Sequence, residues 1–446
     1  MSTAEVKRYE GTGAIEDYIR DRSEPEWMRS IRKEAMNRFV ADPWPTTEVE
    51  EWRRTDISSY DFDEYSFSSE SGELASIDLP DDAAALVRFD GSHCSGAAVQ
   101  PSVAEKGVVV TGLVEAAGGR AGDEVARLVE GKAGPLMREG LARADNRIQT
   151  WHYSTITHGV FIYLPRGVVV EDPIYIDFQE NGDGRLAVPH VVLFAEQESS
   201  AMIVQTTGDS GEGEILYNEG TDCYIDSAAD VRFMSIQNLN IDSTVFSFGA
   251  GSLQRDGSFQ HYVCNFGGML TKSRFDCTLD GPGSLVRLNG LYFPYQDQQM
   301  DMRTVQHHRA PHAESRTYYK GAVRDEAHSI YQGLIEVAPN ATQTDAYLTN
   351  KNLIMNDGAR ADSIPTLQIN TDDVSCSHGS STGKLEPLHL FYLQARGYSR
   401  VEAEETLLMG FFDDIIDKAP ERIQDELRQL VSHRVHEAHE AEEDDE

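Results

Sequence analysis

The sequence predicts a mainly β protein whose core is a parallel β-helix flanked by N-terminal and C-terminal helical regions. Three observations point there. Over 149–385 the chain breaks into apolar runs of four to eight residues with almost no helical periodicity, among them Val160-Phe161-Ile162-Tyr163-Leu164 and Ile330-Tyr331-Gln332-Gly333-Leu334-Ile335. Phrases that lead from an acid or glycine through a small residue into an apolar strand recur at Ala228-Ala229-Asp230, Arg255-Asp256-Gly257, Gly281-Pro282-Gly283, Arg324-Asp325-Glu326-Ala327 and Asn356-Asp357-Gly358-Ala359. Helical patterns are confined to the two ends. A sandwich pair or a barrel also accommodates such a tract, and Asn181-Gly182 and Asn289-Gly290 are hairpin-type dipeptides. The loose recurrence, roughly every 25 to 45 residues, fits stacked coils better than hairpins.

In chain order, region 1–82 opens with a helix: Ser23 is a candidate N-cap with Pro25 in the first turn. Trp27, Met28, Ile31, Ala35, Phe39 and Val40 recur at helical spacing until Pro43 and Pro45. Residues 56–82 are rich in acid and serine, as a surface connection should be. Region 83–148 alternates short apolar runs with helix-like stretches at 122–128 and 135–144 and reads as a small α/β cap. After the β tract, helices return over 386–446. One runs over 387–395 and ends at Gly397. Ser399 with Glu402 forms a capping-box signature ahead of Val401, Leu407, Leu408, Phe411, Phe412, Ile415 and Ile416. A third begins near Pro420 and carries Ile423, Leu427, Leu430 and Val431, before an acidic tail at 437–446. So many apolar positions need a partner, either the end of the β tract or a docked protein.

At 446 residues the chain is long enough for several structural units and a sizeable core. Its formal net charge is −36, with acids spread along its whole length. Such a field argues against binding nucleic acid or anionic membranes and reads most simply as adaptation to a high-salt solvent. No apolar stretch approaches a membrane span, and Met1-Ser2-Thr3-Ala4-Glu5-Val6-Lys7 lacks the apolar core of a signal peptide, so a cytoplasmic location is expected. The five cysteines, Cys94, Cys223, Cys264, Cys277 and Cys376, are odd in number, widely spaced and without a Cys-x-x-Cys pair. That argues against a disulfide framework or a self-contained zinc site and makes core packing the default for the first four.

The chemistry concentrates in Cys376-Ser377-His378-Gly379. Strand side chains alternate faces, so a thiol and an imidazole two residues apart point the same way and present one soft and one borderline ligand together. His307, His308 and His312 form a second histidine-rich patch, but strand geometry puts His307 and His308 on opposite faces, which favours an interface or structural role over zinc. Gly379-Ser380-Ser381-Thr382-Gly383-Lys384-Leu385 is one residue short of a P-loop and has Leu385 where the magnesium-binding hydroxyl belongs. Phe248-Gly249-Ala250-Gly251 is too short for a dinucleotide fingerprint, so any ATP dependence must come from a partner.

Four separate segments resemble the SufB/SufD family of SUF iron–sulfur cluster assembly scaffolds, the SufD type more closely than the SufB type. These are Glu24-Pro25-Glu26-Trp27 with Glu50-Glu51-Trp52-Arg53-Arg54-Thr55-Asp56; Gly159-Val160-Phe161-Ile162-Tyr163-Leu164-Pro165-Arg166-Gly167-Val168 with Asp172-Pro173-Ile174; His307-His308-Arg309-Ala310-Pro311-His312; and the stretch 342–379. The resemblance implies a right-handed parallel β-helix and a non-catalytic scaffold. It would pair with a SufB-type partner through the β-helix and dock the ATPase SufC on the C-terminal helices. Its cargo would be a transient iron–sulfur cluster shared with the partner. SufB-type chains carry a cysteine within Thr-Gln-Cys-Asp, where this chain has Thr344, and a hydroxyl cannot replace a thiolate ligand. The family's interface histidine maps onto His378, with Cys376 beside it. Two alternatives stay open: a SufB-like homodimeric scaffold in which Cys376 substitutes for the missing thiol, and, more remotely, a β-helix polysaccharide-active enzyme. Flavin binding is left open.

Overall fold

The computed structural model describes residues 7–8, 11–62, 65–67, 77–209 and 213–444. Parts of the acidic connection at 56–82, the first residues of the chain and the end of the acidic tail lie outside the described residues. The β tract is a parallel β-solenoid of about eight coils, each contributing one strand to a ten-stranded sheet and, along most of its length, one to a twelve-stranded sheet. From Ser200–Asp209 onward every strand of the ten-stranded sheet pairs in parallel with the strand one coil away, as in Ser200↔Asp230, Asp230↔Ser258, Ser258↔Leu285 and Leu285↔Glu314.

The coil length is set at a corner. Glu198, Ala228, Asp256, Gly283, His312 and Gln343 all take left-handed backbone conformations, with φ between 56° and 74°, and lie 30, 28, 27, 29 and 31 residues apart in turn. Each donates its N–H to a carbonyl of the next coil, those of Ser227, Arg255, Pro282, Pro311, Thr342 and Asp373, at 2.6–3.3 Å. Gln296 and Asp325 occupy the corresponding conformation at another corner. The recurring phrases of the sequence therefore sample more than one corner, which is why their spacing looked loose. The hairpin alternative is overturned: Asn289-Gly290 lies inside strand Leu285–Tyr292, where the Tyr319 ring of the next strand covers Gly290 and leaves no room for a Cβ.

Inward residues form one apolar core along the solenoid, including Val191, Leu193, Ile203, Val231, Phe259, Leu288, Met302 and Leu348. The helices cover the outer faces. Helix Glu26–Ala41, which starts after Pro25 and not at Ser23, packs with helices Asp123–Arg143 and Arg147–Thr155 on the twelve-stranded sheet. Asp123–Arg143 runs unbroken through Pro135, joining two stretches that looked separate. Region 83–148 is continuous with the solenoid, because strands Ala85–Asp90 and His93–Val99 extend the ten-stranded sheet and Val109–Gly112 the twelve-stranded one. The Trp-containing motif is a clamp. The 3-10 turn Glu50–Trp52 lies on the sheet with the fully buried Lys272 ammonium 5.1 Å from the Trp52 ring, 2.8 Å from the Glu51 carbonyl and 2.8 Å from Asp301 Oδ2. Thr55 Oγ1 donates to the same carboxylate at 2.5 Å.

At the other end, helix Arg400–Ile416 carries the expected capping box between Ser399 and Glu402, and helix Glu421–Asp444 follows. Their apolar stripes, Leu408, Phe412, Ile415, Ile423, Leu427 and Val431 among them, pack on the flank of the ten-stranded sheet against Met234, Ile236, Cys264 and Phe293, not on the end of the β tract. No helix among the described residues is long and apolar enough to cross a membrane.

Two substitutions test the corner and the stacking in opposite directions. Ala228→Gly, which relieves a left-handed alanine, is expected to stabilise the fold by roughly 0.5–1 kcal/mol. Gly290→Ala, which drives a methyl into the Tyr319 ring, is expected to destabilise it by about 1–3 kcal/mol. Chemical denaturation of both variants checks the pair; a destabilised Ala228→Gly protein would contradict the corner assignment.

Candidate functional site

The last coil consists of strands Arg360–Ile369 and Val374–Lys384, which form the free edges of the two sheets among the described residues. The ladder beneath fixes which residues share a face. Thr344↔Val374, Ala346↔Cys376 and Leu348↔His378 are paired, and Thr344, Ala346 and Leu348 are all buried inward residues. Cys376 and His378 therefore stand on the inner face, as the alternation predicts, but with no further coil above them. Cys376 is half-buried against the end of the apolar core, and His378 is exposed.

Burial pushes the Cys376 thiol above its ordinary value; Asp345 adds to the shift, and a hydrogen bond with the Ala346 backbone opposes it. The thiolate is thus disfavoured until something positive sits beside it. Thr344 lies one strand deeper, with its hydroxyl donated to the Ala341 carbonyl at 2.9 Å. It is committed to a turn and is no free ligand. Among the described residues, no group of three or more His, Cys, Asp or Glu side chains is arranged to hold a metal ion. Cys376 and His378 thus supply at most an incomplete ligand set.

The other sequence candidates separate from this site. His308 is buried, with Nε2 2.9 Å from Ser315 Oγ, and burial pushes its imidazolium down to about 4. His307 sits on the opposite face with Nδ1 2.6 Å from Glu336, and His312 is a corner residue. Cys94, Cys223, Cys264 and Cys277 are free and buried, and burial pushes the Cys94 and Cys264 thiols up to about 12. The glycine-rich 379–383 stretch is edge strand and not a loop, and Phe248-Gly249-Ala250-Gly251 lies within strand Thr244–Leu253.

One surface was only partly legible. Helix Pro387–Gln394 has no buried residue, and Leu388, Phe391 and Tyr392 are 65%, 67% and 54% exposed. The signal was there in Leu388-His389-Leu390-Phe391-Tyr392-Leu393, which lacks a polar face. A buried contact of His152, His190 and Asp222 between helix and sheet left no sequence signal at all.

Comparison with known proteins identifies the family. A family model described as the SUF system FeS cluster assembly, SufBD core domain matches residues 178–411, and one described as the SufBD protein N-terminal region matches 13–176. The chain is 24% identical over 436 residues to the iron–sulfur cluster assembly protein SufD of Bacillus subtilis, covering 94% of this chain and 95% of the relative. It is 28% identical over 310 residues to an iron–sulfur cluster assembly SufBD family protein of Mycobacterium bovis, covering 68% and 77%. A SufBD family protein of Staphylococcus saprophyticus is 22% identical over 444 residues, covering 94% and 92%.

The burial pattern predicts that a neutral alkylating reagent modifies a single thiol in the native chain, slowly, and with a pH midpoint above the roughly 8.5 of a free cysteine. Mass spectrometry of wild type and Cys376→Ser checks this; a second fast-reacting thiol, or a midpoint below 8, would contradict it.

Proposed function

The chain belongs to the SufBD family of SUF iron–sulfur cluster assembly proteins, and from that premise we propose that it is a SufD-type, non-catalytic scaffold subunit. The observation that carries this reading is the pair Cys376 and His378 on the inner face of a last coil whose edges are unpaired among the described residues. In this role a SufB-type partner lays its own strands against Arg360–Ile369 and Val374–Lys384. That brings its thiolates to His378 and Cys376, so a transient iron–sulfur cluster is held as cargo by ligands from both chains. His378 offers a ring nitrogen to iron or orients a partner thiolate, and Cys376 loses its proton as iron binds. Thr344, with its hydroxyl already engaged, supports division of labour with a partner that carries the missing thiol.

The ATPase SufC docks, on this reading, at the C-terminal helices. Helices Arg400–Ile416 and Glu421–Asp444 spend their apolar stripes on the sheet, which narrows the docking surface to helix Pro387–Gln394 and its exposed Leu388, Phe391 and Tyr392. Truncation after Gly383 would also uncover Met234, Ile236 and Phe293, so point substitutions separate docking from misfolding.

Two outcomes follow. In anaerobic iron and sulfide reconstitution of this chain co-purified with SufB-type and SufC partners, His378→Ala is expected to lower cluster loading about tenfold or more without disturbing subunit assembly. Normal loading would sink the role, and a stable cluster on the isolated wild-type chain would favour the homodimeric scaffold instead. Phe391→Ala with Tyr392→Ala should weaken ATPase binding by about 2 kcal/mol or more while leaving thermal unfolding unchanged, because neither side chain is buried. Titration calorimetry with the ATPase decides it.

A further inference from the structure

Helix Arg147–Thr155 meets the outer face of the twelve-stranded sheet through a buried polar contact that has no part in the open end of the solenoid. His152 projects from the helix, His190 from strand Pro189–Ala195 and Asp222 from the neighbouring strand Ile215–Ile225, all almost fully buried. Gly220 makes the approach possible, since a Cβ there would collide with both imidazoles, and Gly140 leaves space for the Tyr153 hydroxyl and the Asp222 carboxylate.

Hydrogen counting along this chain gives a definite result. His152 Nδ1 lies 2.8 Å from the Asn218 carbonyl, which only accepts, so Nδ1 carries a hydrogen. His152 Nε2 and His190 Nδ1 are 2.9 Å apart, and one hydrogen lies between them. His190 Nε2 faces Asp222 Oδ2 at 3.3 Å, a proximity outside hydrogen-bond alignment, and has no hydrogen-bond partner among the described residues. Asp222 already accepts from the Tyr153 hydroxyl at 2.9 Å and from Arg143 at 2.9 Å, so a lone pair on Nε2 would face a buried carboxylate. Two neutral imidazoles own two such hydrogens, and a hydrogen on Nε2, which would replace that lone pair facing the carboxylate, makes three.

We infer that the His152–His190–Asp222 trio holds a third proton and uses it to clasp helix Arg147–Thr155, and with it the N-terminal helical layer, onto the solenoid. The surrounding charges agree. Burial first, then the neighbouring His190, push the His152 imidazolium down to about 3, so His152 does not hold the extra proton on its own. Burial works to raise the Asp222 carboxyl, but His190, Arg143 and Tyr153 together hold it below its ordinary value. The remaining facing charges are Arg32, which shares Glu24 with Arg22 at 2.7 and 2.6 Å, and, across the adjoining void, Arg274, paired with Asp276 at 2.8 Å. The void beside the trio, about 40 Å³, has room for a few waters.

The sign follows. The clasp is complete while the third proton is held and is lost as pH rises through the point where the trio releases it; on the acid side it is lost only as pH falls through the lowered Asp222 value. Asp222→Asn provides the decisive variant, because the amide oxygen in place of Oδ1 still accepts from Arg143, while the N–H₂ in place of Oδ2 donates one hydrogen to Nε2 and the other to the Tyr153 hydroxyl, which can accept as well as donate. Histidine-selective ¹⁵N spectra of the full chain at a pH about two units above the ordinary imidazole value of about 6.5 are expected to show an imidazolium ring that is absent in Asp222→Asn. Thermal unfolding across the same range should fall more steeply with pH for wild type than for the variant. A wild-type spectrum of neutral rings only, an imidazolium that persists in Asp222→Asn, or parallel unfolding profiles would overturn the inference.

Discussion

A parallel coil cannot satisfy its own backbone. Every strand of the solenoid points its N–H and C=O groups along the stack, and the left-handed corner from Glu198 to Gln343 does the same, so each coil needs a neighbour on either side. The architecture then turns on how the stack ends. At the N-terminal end the ten-stranded sheet stops in the antiparallel pair Ala85–Asp90 and His93–Val99, with an irregularity at Arg88/Phe89, and the twelve-stranded sheet acquires the short antiparallel strand Val109–Gly112. Both are devices that blunt an edge. At the C-terminal end the last strands are ten and eleven residues long and regular in register. The position of Cys376 and His378 is a consequence of that asymmetry.

The same logic distributes the helices. Each sheet has an apolar outer face, and each helical layer has a stripe to match: Trp27, Met28 and Ile31 on one side, Phe412, Ile415 and Leu427 on the other. Once those stripes are buried they are unavailable to partners. Helix Pro387–Gln394, between the last strand and the packed helices, keeps several large apolar side chains together in solvent. A chain with 75 acidic residues still presents this one concentrated patch of Leu388, Phe391 and Tyr392.

Much of this was legible from sequence, for identifiable reasons. Left-handed corners favour glycine, asparagine or aspartate, and phrases such as Arg255-Asp256-Gly257 announced them, whereas Glu198, His312 and Gln343 carry no such signal. What blurred the repeat was that Asp325 belongs to a different corner from Asp256 and Gly283. The Ser399–Glu402 capping box and the Cys376–His378 alternation are local geometry, and local geometry carries over directly. Asn289-Gly290 misled because a glycine demanded by a ring on the next coil looks like one demanded by a turn. The His152–His190–Asp222 contact had no local signature, because its members lie 38 and 32 residues apart and meet only through coil register and a helix seated above it.

The electrostatics of the open end order events in the proposed scaffold. Cys376 is half-buried beside Asp345, and both features keep its proton in place. A partner that covered the end before iron arrived would bury the thiol further and raise it again, making the later loss of its proton harder. Iron delivered first, or together with the partner's ligands, supplies the positive charge that makes the thiolate the stable form. His378 stands exposed on the same face. On the proposed scaffold reading, the exposed histidine is the ligand that incoming metal reaches first, and the half-buried cysteine the one that closes the site behind it.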